Sequence, residues 1–224
     1  MSDQATALYI DAYSDVICPW CYVGKRRLER ALLQVVDKVN AKVCWRPFQL
    51  NPTMPQQGMN RTVYLETKFG SLQVFKEMEE HLLAAGMAEQ IPFAFEKIAR
   101  TPNTFQAHRL IWYAGRQDKQ DSVVEALFRG YFVEGTDISN IQTLVNVAQS
   151  AGLEQRGVES FLATETGVAE VKTEEAAGHR MGIRSVPHFV LNDLYAISGA
   201  QRPEAFLGAF QRIRTDLAEK AMLR

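Results

Sequence analysis

The sequence predicts an α/β fold with a β-α-β half at its start, a β-β-α half at its end, and a large all-helical insertion between them. Three observations predict it. Alternating apolar residues mark short strands before residue 50, helical periodicity then runs to about residue 180 with almost no strand signal, and a hairpin pattern plus one more helix follow.

Each element has its own signal. Leu8 to Tyr13 alternates as LYIDAY and stops at Ser14 and Asp15, which reads as a strand followed by a turn able to cap a helix. From Cys18 onward, Trp20, Val23, Leu28, Leu32, Val35 and Val36 recur at mixed spacings of three and four among Lys25, Arg26, Arg27, Glu29 and Arg30, as in an amphipathic helix. Lys42 to Phe48, KVCWRPF, is rich in strand formers, and strand, helix, strand at this length implies a right-handed parallel crossover. Asn51 to Gly58 then breaks regular structure. Helical patterns follow over Val63 to Phe69, Leu72 to Gly86, Thr104 to Arg116, Asp121 to Phe132, Ile141 to Ala151 and Thr166 to Met181. Most of their aromatic residues should form that segment's own core. Pro187 to Leu191, a turn at Asn192-Asp193, and Leu194 to Ile197 read as a hairpin; Pro203 opens a last helix through Leu223.

Composition narrows the function. The chain has 224 residues, 46% of them apolar, enough to fill a core, and a net charge of -1. No run of Lys and Arg is long enough to follow a phosphate backbone or an anionic membrane, so neither nucleic acid nor membrane is expected as a partner. The first residues, MSDQATALYIDAY, lack a basic then apolar leader, and no apolar run approaches the roughly 18 residues of a spanning helix. A cytoplasmic protein is therefore expected. Three cysteines are too few, and an odd number, for a disulfide scaffold.

Two of those cysteines stand three positions apart in Cys18-Pro19-Trp20-Cys21, at the start of the first helix. A chance pair and half of a zinc site are the bland readings. Structural zinc takes four ligands, and no second C-x-x-C or H-x3-H occurs, so no metal is expected. A working dithiol fits better. Only a thiolate attacks a disulfide, and the unpaired N–H groups of a helix N-terminus favour negative charge, so Cys18 should be the exposed nucleophile. Cys21, three residues on, can resolve the mixed disulfide. Pro19 suits the first helical turn.

Several segments together resemble one family. They are Cys18-Pro19-Trp20-Cys21-Tyr22 with Gly24-Lys25, Trp45 to Pro52, Asn103-Thr104-Phe105 with Ala107-His108-Arg109-Leu110, Tyr131-Phe132 with Glu134-Gly135 and Asp137-Ile138-Ser139, Gly182 with Val186-Pro187, and Ser198 to Gln201. The chain is similar over nearly its whole length to DsbA-like dithiol-disulfide oxidoreductases of FrnE type, in the thioredoxin superfamily. The larger members carry a second cysteine motif near the C-terminus, which is missing here. The resemblance implies a thioredoxin-like domain at residues 1–58 and 182–224 with a helical domain inserted at 59–181. It implies an oxidoreductase or isomerase acting on protein or small-molecule disulfides, with no bound cofactor, glutathione as an available co-substrate, and a homodimer by analogy. It also implies a cis Pro187 facing the cysteine pair and makes His108, otherwise a satisfied or surface histidine, a candidate for the substrate groove; Pro19, Trp20, Val186, Asn103 and His188 are the further groove candidates, His188 being equally able to point out of its strand.

Two other function classes compete with this reading. Glutathione-dependent enzymes of the kappa transferase and 2-hydroxychromene-2-carboxylate isomerase group share the inserted helical domain but place a serine at the Cys18 position. A binding module or holdase that only senses redox state is the third class. A histidine between the cysteines could hold a thiolate by a charged hydrogen bond; Trp20 cannot, so a less oxidising pair is expected than in His-containing relatives. Lys25, His81 and His179 are expected on solvated helix faces, Cys44 as a small buried hydrophobe, and Arg46 either in a buried ion pair or in the groove.

Overall fold

The structure is a computed structural model that describes residues 5–222, so the Leu223 end of the expected last helix lies outside the described residues. The first half runs β1 (Thr6–Ser14), α1 (Pro19–Leu33) and β2 (Val39–Pro47). β1 and β2 pair in parallel from Thr6↔Val39 to Ser14↔Pro47, the register a right-handed crossover through α1 produces. β2 starts three residues before the sequence pattern, because the ladder with β1 continues through Asn40, Ala41 and Lys42, which are exposed.

The intervening segment holds β3 (Met59–Asn60), α2 (Arg61–Phe69), α3 (Leu72–Ala88), β4 (Arg100–Thr101), α4 (Phe105–Gly115), α5 (Gln120–Phe132), α6 (Ile141–Ser150), α7 (Gln155–Leu162) and α8 (Val168–Arg180). Two features were not expected. The β3–β4 ladder is two residues long, too short for any periodicity. α7 has only eight residues and a glycine inside it, yet Glu154 caps it by accepting from the Arg156 and Gly157 N–H groups. The chain then returns through β5 (His188–Leu191), β6 (Tyr195–Ser198) and α9 (Pro203–Met222).

The main sheet has the order β2-β1-β5-β6, with β5 antiparallel to both neighbours. Its hairpin turns on Asn192 and Asp193, at φ 49° and 55°, the two left-handed residues a tight hairpin needs. Asn192 also ties the turn to β1: its side chain accepts from Tyr9 N at 2.7 Å and donates to Ala7 O at 3.1 Å.

Apolar burial joins the two parts of the chain. Tyr22 of α1 stacks on Phe128 of α5 with ring centroids 5.0 Å apart and meets Phe93 edge-on at 6.1 Å; Phe93 in turn meets Phe132 at 5.5 Å. The aromatic residues of the helical segment are therefore not a separate core. They continue into the sheet through α1, and buried residues from both regions form one cluster.

Lys25 corrects an expectation. It is 1% exposed, and its ammonium contacts Glu29, Asp121 and Glu125 from α1 and α5. Burial alone would lower its pKa, but the three carboxylates raise it, so it stays charged. Its position one turn past Cys21 and three before Leu28 puts it on the inward face, which explains the burial. Arg109 is a second buried cation. It donates to the Phe161 carbonyl in the last turn of α7 and to the Thr164 and Thr166 carbonyls just past it, which ties α4 to that end of α7.

Phe128 is fully buried at the junction. Phe128→Ala should lower unfolding free energy by about 3–5 kcal/mol, read as a reduced denaturant midpoint. An unchanged midpoint contradicts the shared core.

Candidate active site

Cys18 is the N-cap residue of α1, with Pro19 at the first helical position and no acidic residue in the first turn. Backbone bonds hold the bend: Cys18 N donates to Asp15 O, and Cys21 N to Cys18 O, each at 3.0 Å. Both thiols are free. Cys18 Sγ points at Val186 O, 3.7 Å away, so the start of α1 and the entry to β5 meet at the sulfur.

That meeting depends on a glycine. A Cβ on Gly24 would lie 2.9 Å from Cγ of Pro187 and 3.3 Å from Cζ of Phe189, so only glycine lets α1 pack this closely on β5. The Val186-Pro187 peptide bond is cis, and Pro187 is buried.

The two thiols differ in setting. Cys18 is 5% exposed, less open than the exposed nucleophile the sequence predicts, with Val186 O against its sulfur from the β5 side. Cys21 is fully buried, and burial, with the adjacent Cys18 thiol adding to it, pushes its pKa well up; the Ser14 hydroxyl and a backbone group of Asp15 act the other way. Trp20 stands 38% exposed at the rim.

The remaining expected site residues divide. Pro19, Val186 and His188 are half-buried near the cysteine pair by their place in the chain, and burial lowers the pKa of His188. Asn103 is occupied locally: its side chain donates to Met54 O at 2.7 Å and accepts from Phe105 N at 2.9 Å, which starts α4. His108 is 3% exposed and so does not line an open groove. Its Nε2 faces inward, 3.4 Å from Oδ1 of the fully buried Asp15. Arg46 forms surface-side ion pairs with Asp11 at 2.7 Å and Glu174 at 3.3 Å. Cys44 is half-buried, while His81 and His179 are exposed.

From sequence, Ser14 and Asp15 mark only a turn able to cap a helix, whereas Cys18 is the N-cap and no side chain caps α1. Asp15 does more: its Oδ2 accepts from Leu50 N at 2.7 Å, joining the loop after β2 to the start of α1. A charge set against Val16 and Ile17, three residues before Cys18, was the available signal.

Residues 9–211 match the family described as DSBA-like thioredoxin domain. The chain belongs to that family. It is thus placed among disulfide oxidoreductases and isomerases. A probable DsbA oxidoreductase from Streptomyces coelicolor is 31% identical, with a TM-score of 0.84 covering 92% of this chain and 89% of that one. A 2-hydroxychromene-2-carboxylate isomerase superposes with a TM-score of 0.71 at 15% identity, over 94% and 98% of the two chains. The cytosolic disulfide reductase DsbM from Pseudomonas aeruginosa, solved with GSH, gives 0.62 at 17% identity over 96% and 99%. These last two share the fold. Among the described residues no helix is long and apolar enough to cross a membrane.

The raised pKa of Cys21 fixes a sign. A thiol held protonated by the fold adds stability below its unfolded pKa of about 8.5, and that stability is lost as pH rises toward the higher folded value. In the reduced protein, alkylation should therefore modify Cys18 first at neutral pH, with Cys21 reacting only on unfolding or in strong alkali. Equal labelling of both at pH 7 contradicts the assignment.

Proposed function

We propose that this chain is a thiol-disulfide oxidoreductase or isomerase in which Cys18 attacks a substrate disulfide and Cys21 resolves the mixed disulfide. The observation that carries the reading is the pairing of two unequal free thiols at one helix N-terminus, with Cys18 Sγ against the Val186 carbonyl beside Pro187. The N–H groups at the start of α1 favour charge on Cys18 rather than on the buried Cys21.

The reaction runs in two exchanges. Cys18 thiolate forms a bond to one substrate sulfur as the substrate S–S bond breaks and the other sulfur leaves as a thiolate. Cys21 then loses its proton, bonds to Cys18 Sγ, and expels the second substrate sulfur. Two electrons pass from the protein dithiol to the substrate. The reverse sequence oxidises a substrate dithiol.

Trp20 and Val186 are proposed to border the bound substrate, with Pro19 and Pro187 fixing the backbone around the sulfurs. Residues 59–181 are taken as the inserted helical domain that walls the cleft. A disulfide- or thiol-bearing protein or a small molecule fits as substrate. The DsbM neighbour, solved with GSH, supports glutathione as a co-substrate. A cytoplasmic setting agrees with this, because glutathione keeps such a dithiol turning over there. The isomerase neighbour supports a glutathione-dependent isomerase or transferase as the alternative. Against it stands Cys18, a stronger nucleophile than serine once ionised.

Cys18→Ser should abolish disulfide reductase turnover, whereas Cys21→Ser should accumulate a covalent adduct with glutathione or a substrate thiol, visible by mass. Persistent turnover in Cys18→Ser supports the glutathione-dependent alternative instead.

A further inference from the structure

Arg27 of α1 reaches two other elements at once. Its Nε donates to Oε1 of Glu89 at 2.8 Å, and its Nη1 donates to the carbonyl of Ala200. Glu89 is buried at the C-terminal end of α3, where Arg30 of α1 donates to its other oxygen, Oε2, at 2.7 Å. A carboxylate taken out of water is costly unless it is paired, and a guanidinium fork can hold it while keeping a donor for a further acceptor. Here that acceptor lies in the loop between β6 and α9.

Gln201 ties this loop to itself: its N–H donates to Gly199 O and its side chain to Ser198 O, each at 2.9 Å. Gly199 stands at φ 78°, a left-handed conformation that favours glycine, and its N–H donates to the carbonyl of Pro187 at 2.8 Å. The Pro187 carbonyl is thus held by the loop, and the loop by Arg27. Gly24 lies three residues before Arg27, on the same side of α1, and packs against the ring of the same proline. The cysteine helix therefore fixes residue 187 twice, at its ring through Gly24 and at its carbonyl through Arg27. The preceding carbonyl, Val186 O, is the one that faces Cys18 Sγ at 3.7 Å.

We propose that Arg27 is a positioning residue, held by Glu89, that fixes the Pro187 backbone against α1 and so makes the site selective for extended peptide disulfides over small ones; the inference rests on the redox reading above. A small disulfide needs only the Cys18 sulfur. A peptide must also lie along Val186 and Trp20, so it depends on where the entry to β5 is held. A backbone fixed in advance spares the bound chain part of its ordering cost. Because Glu89 comes from α3, the helical segment acts on substrate choice through an ion pair.

The test uses the full reduced chain carrying Cys44→Ala and two mixed disulfides that share a leaving group: thionitrobenzoate joined to the single cysteine of a short extended peptide, and thionitrobenzoate joined to 2-mercaptoethanol. In each, the Cys18 thiolate bonds to the alkyl sulfur, the S–S bond breaks, and thionitrobenzoate leaves with the electron pair. Stopped-flow absorbance therefore reads the same step for both. Arg27→Met should slow the peptide reaction by about tenfold or more and the mercaptoethanol reaction far less, since a misplacement of about 1 Å can cost about a hundredfold. Arg27→Lys offers one ammonium in place of a fork, and should restore the peptide rate only in part. Glu89→Gln keeps the shape and removes the charge; it should shift the ratio of the two rates in the same direction, and it decides the matter if Arg27→Met fails to fold. Loss of folded protein lowers both rates together, so the ratio separates positioning from stability. A ratio equal to the parent's in the folded variants overturns the proposal. Release from both substrates that persists in Cys18→Ser overturns the redox reading itself.

Discussion

The approach of α1 to the entry of β5 is the constraint on which the rest of this structure depends. Gly24 leaves room for the Pro187 ring, with a missing Cβ that would sit 2.9 Å away, and so brings Cys18 Sγ against Val186 O. Everything that fixes α1 acts on that approach. The β1–β2 ladder sets where the helix begins, Tyr22 anchors its inner face to Phe128, and Lys25 binds it to Asp121 and Glu125 of α5. The helical segment is thus joined to the cysteine pair through one helix rather than appended to it.

Burial then separates two chemically identical side chains. Cys18, at the end of the helix, has peptide N–H groups on one side and the β5 entry on the other; Cys21, one turn in, has neither water nor a charge partner of its own. A low-dielectric site penalises a thiolate there, so Cys21 keeps its proton.

Periodicity made much of this legible. The strands, the crossover, the hairpin with its Asn192-Asp193 turn and most helices follow from patterns that depend on a few neighbouring residues. The two-residue β3–β4 ladder and the eight-residue α7 are too short to leave a pattern. The placement of Cys18, Pro19 and Cys21 at the start of α1 was legible, because it depends on neighbours in sequence. The site was not legible where contacts run between distant elements. Lys25 was expected in solvent although its spacing from Cys21 and Leu28 put it on the inner face, because two of its three balancing carboxylates, Asp121 and Glu125, lie about a hundred residues on. His108 was expected in a groove, and only the packing of α4, fixed by Arg109, turns it toward Asp15.

The central claim is that Cys18 and Cys21 interconvert between dithiol and disulfide while Cys44 takes no part. The most direct measurement is a redox titration in glutathione or dithiothreitol buffers, with thiols trapped by alkylation and counted by mass. The account predicts a reversible two-electron transition confined to Cys18 and Cys21. Its midpoint should lie well below the value of about -120 mV that marks strongly oxidising dithiols, since Trp20 offers a thiolate no charge. Three thiols that stay free across the whole range would contradict it.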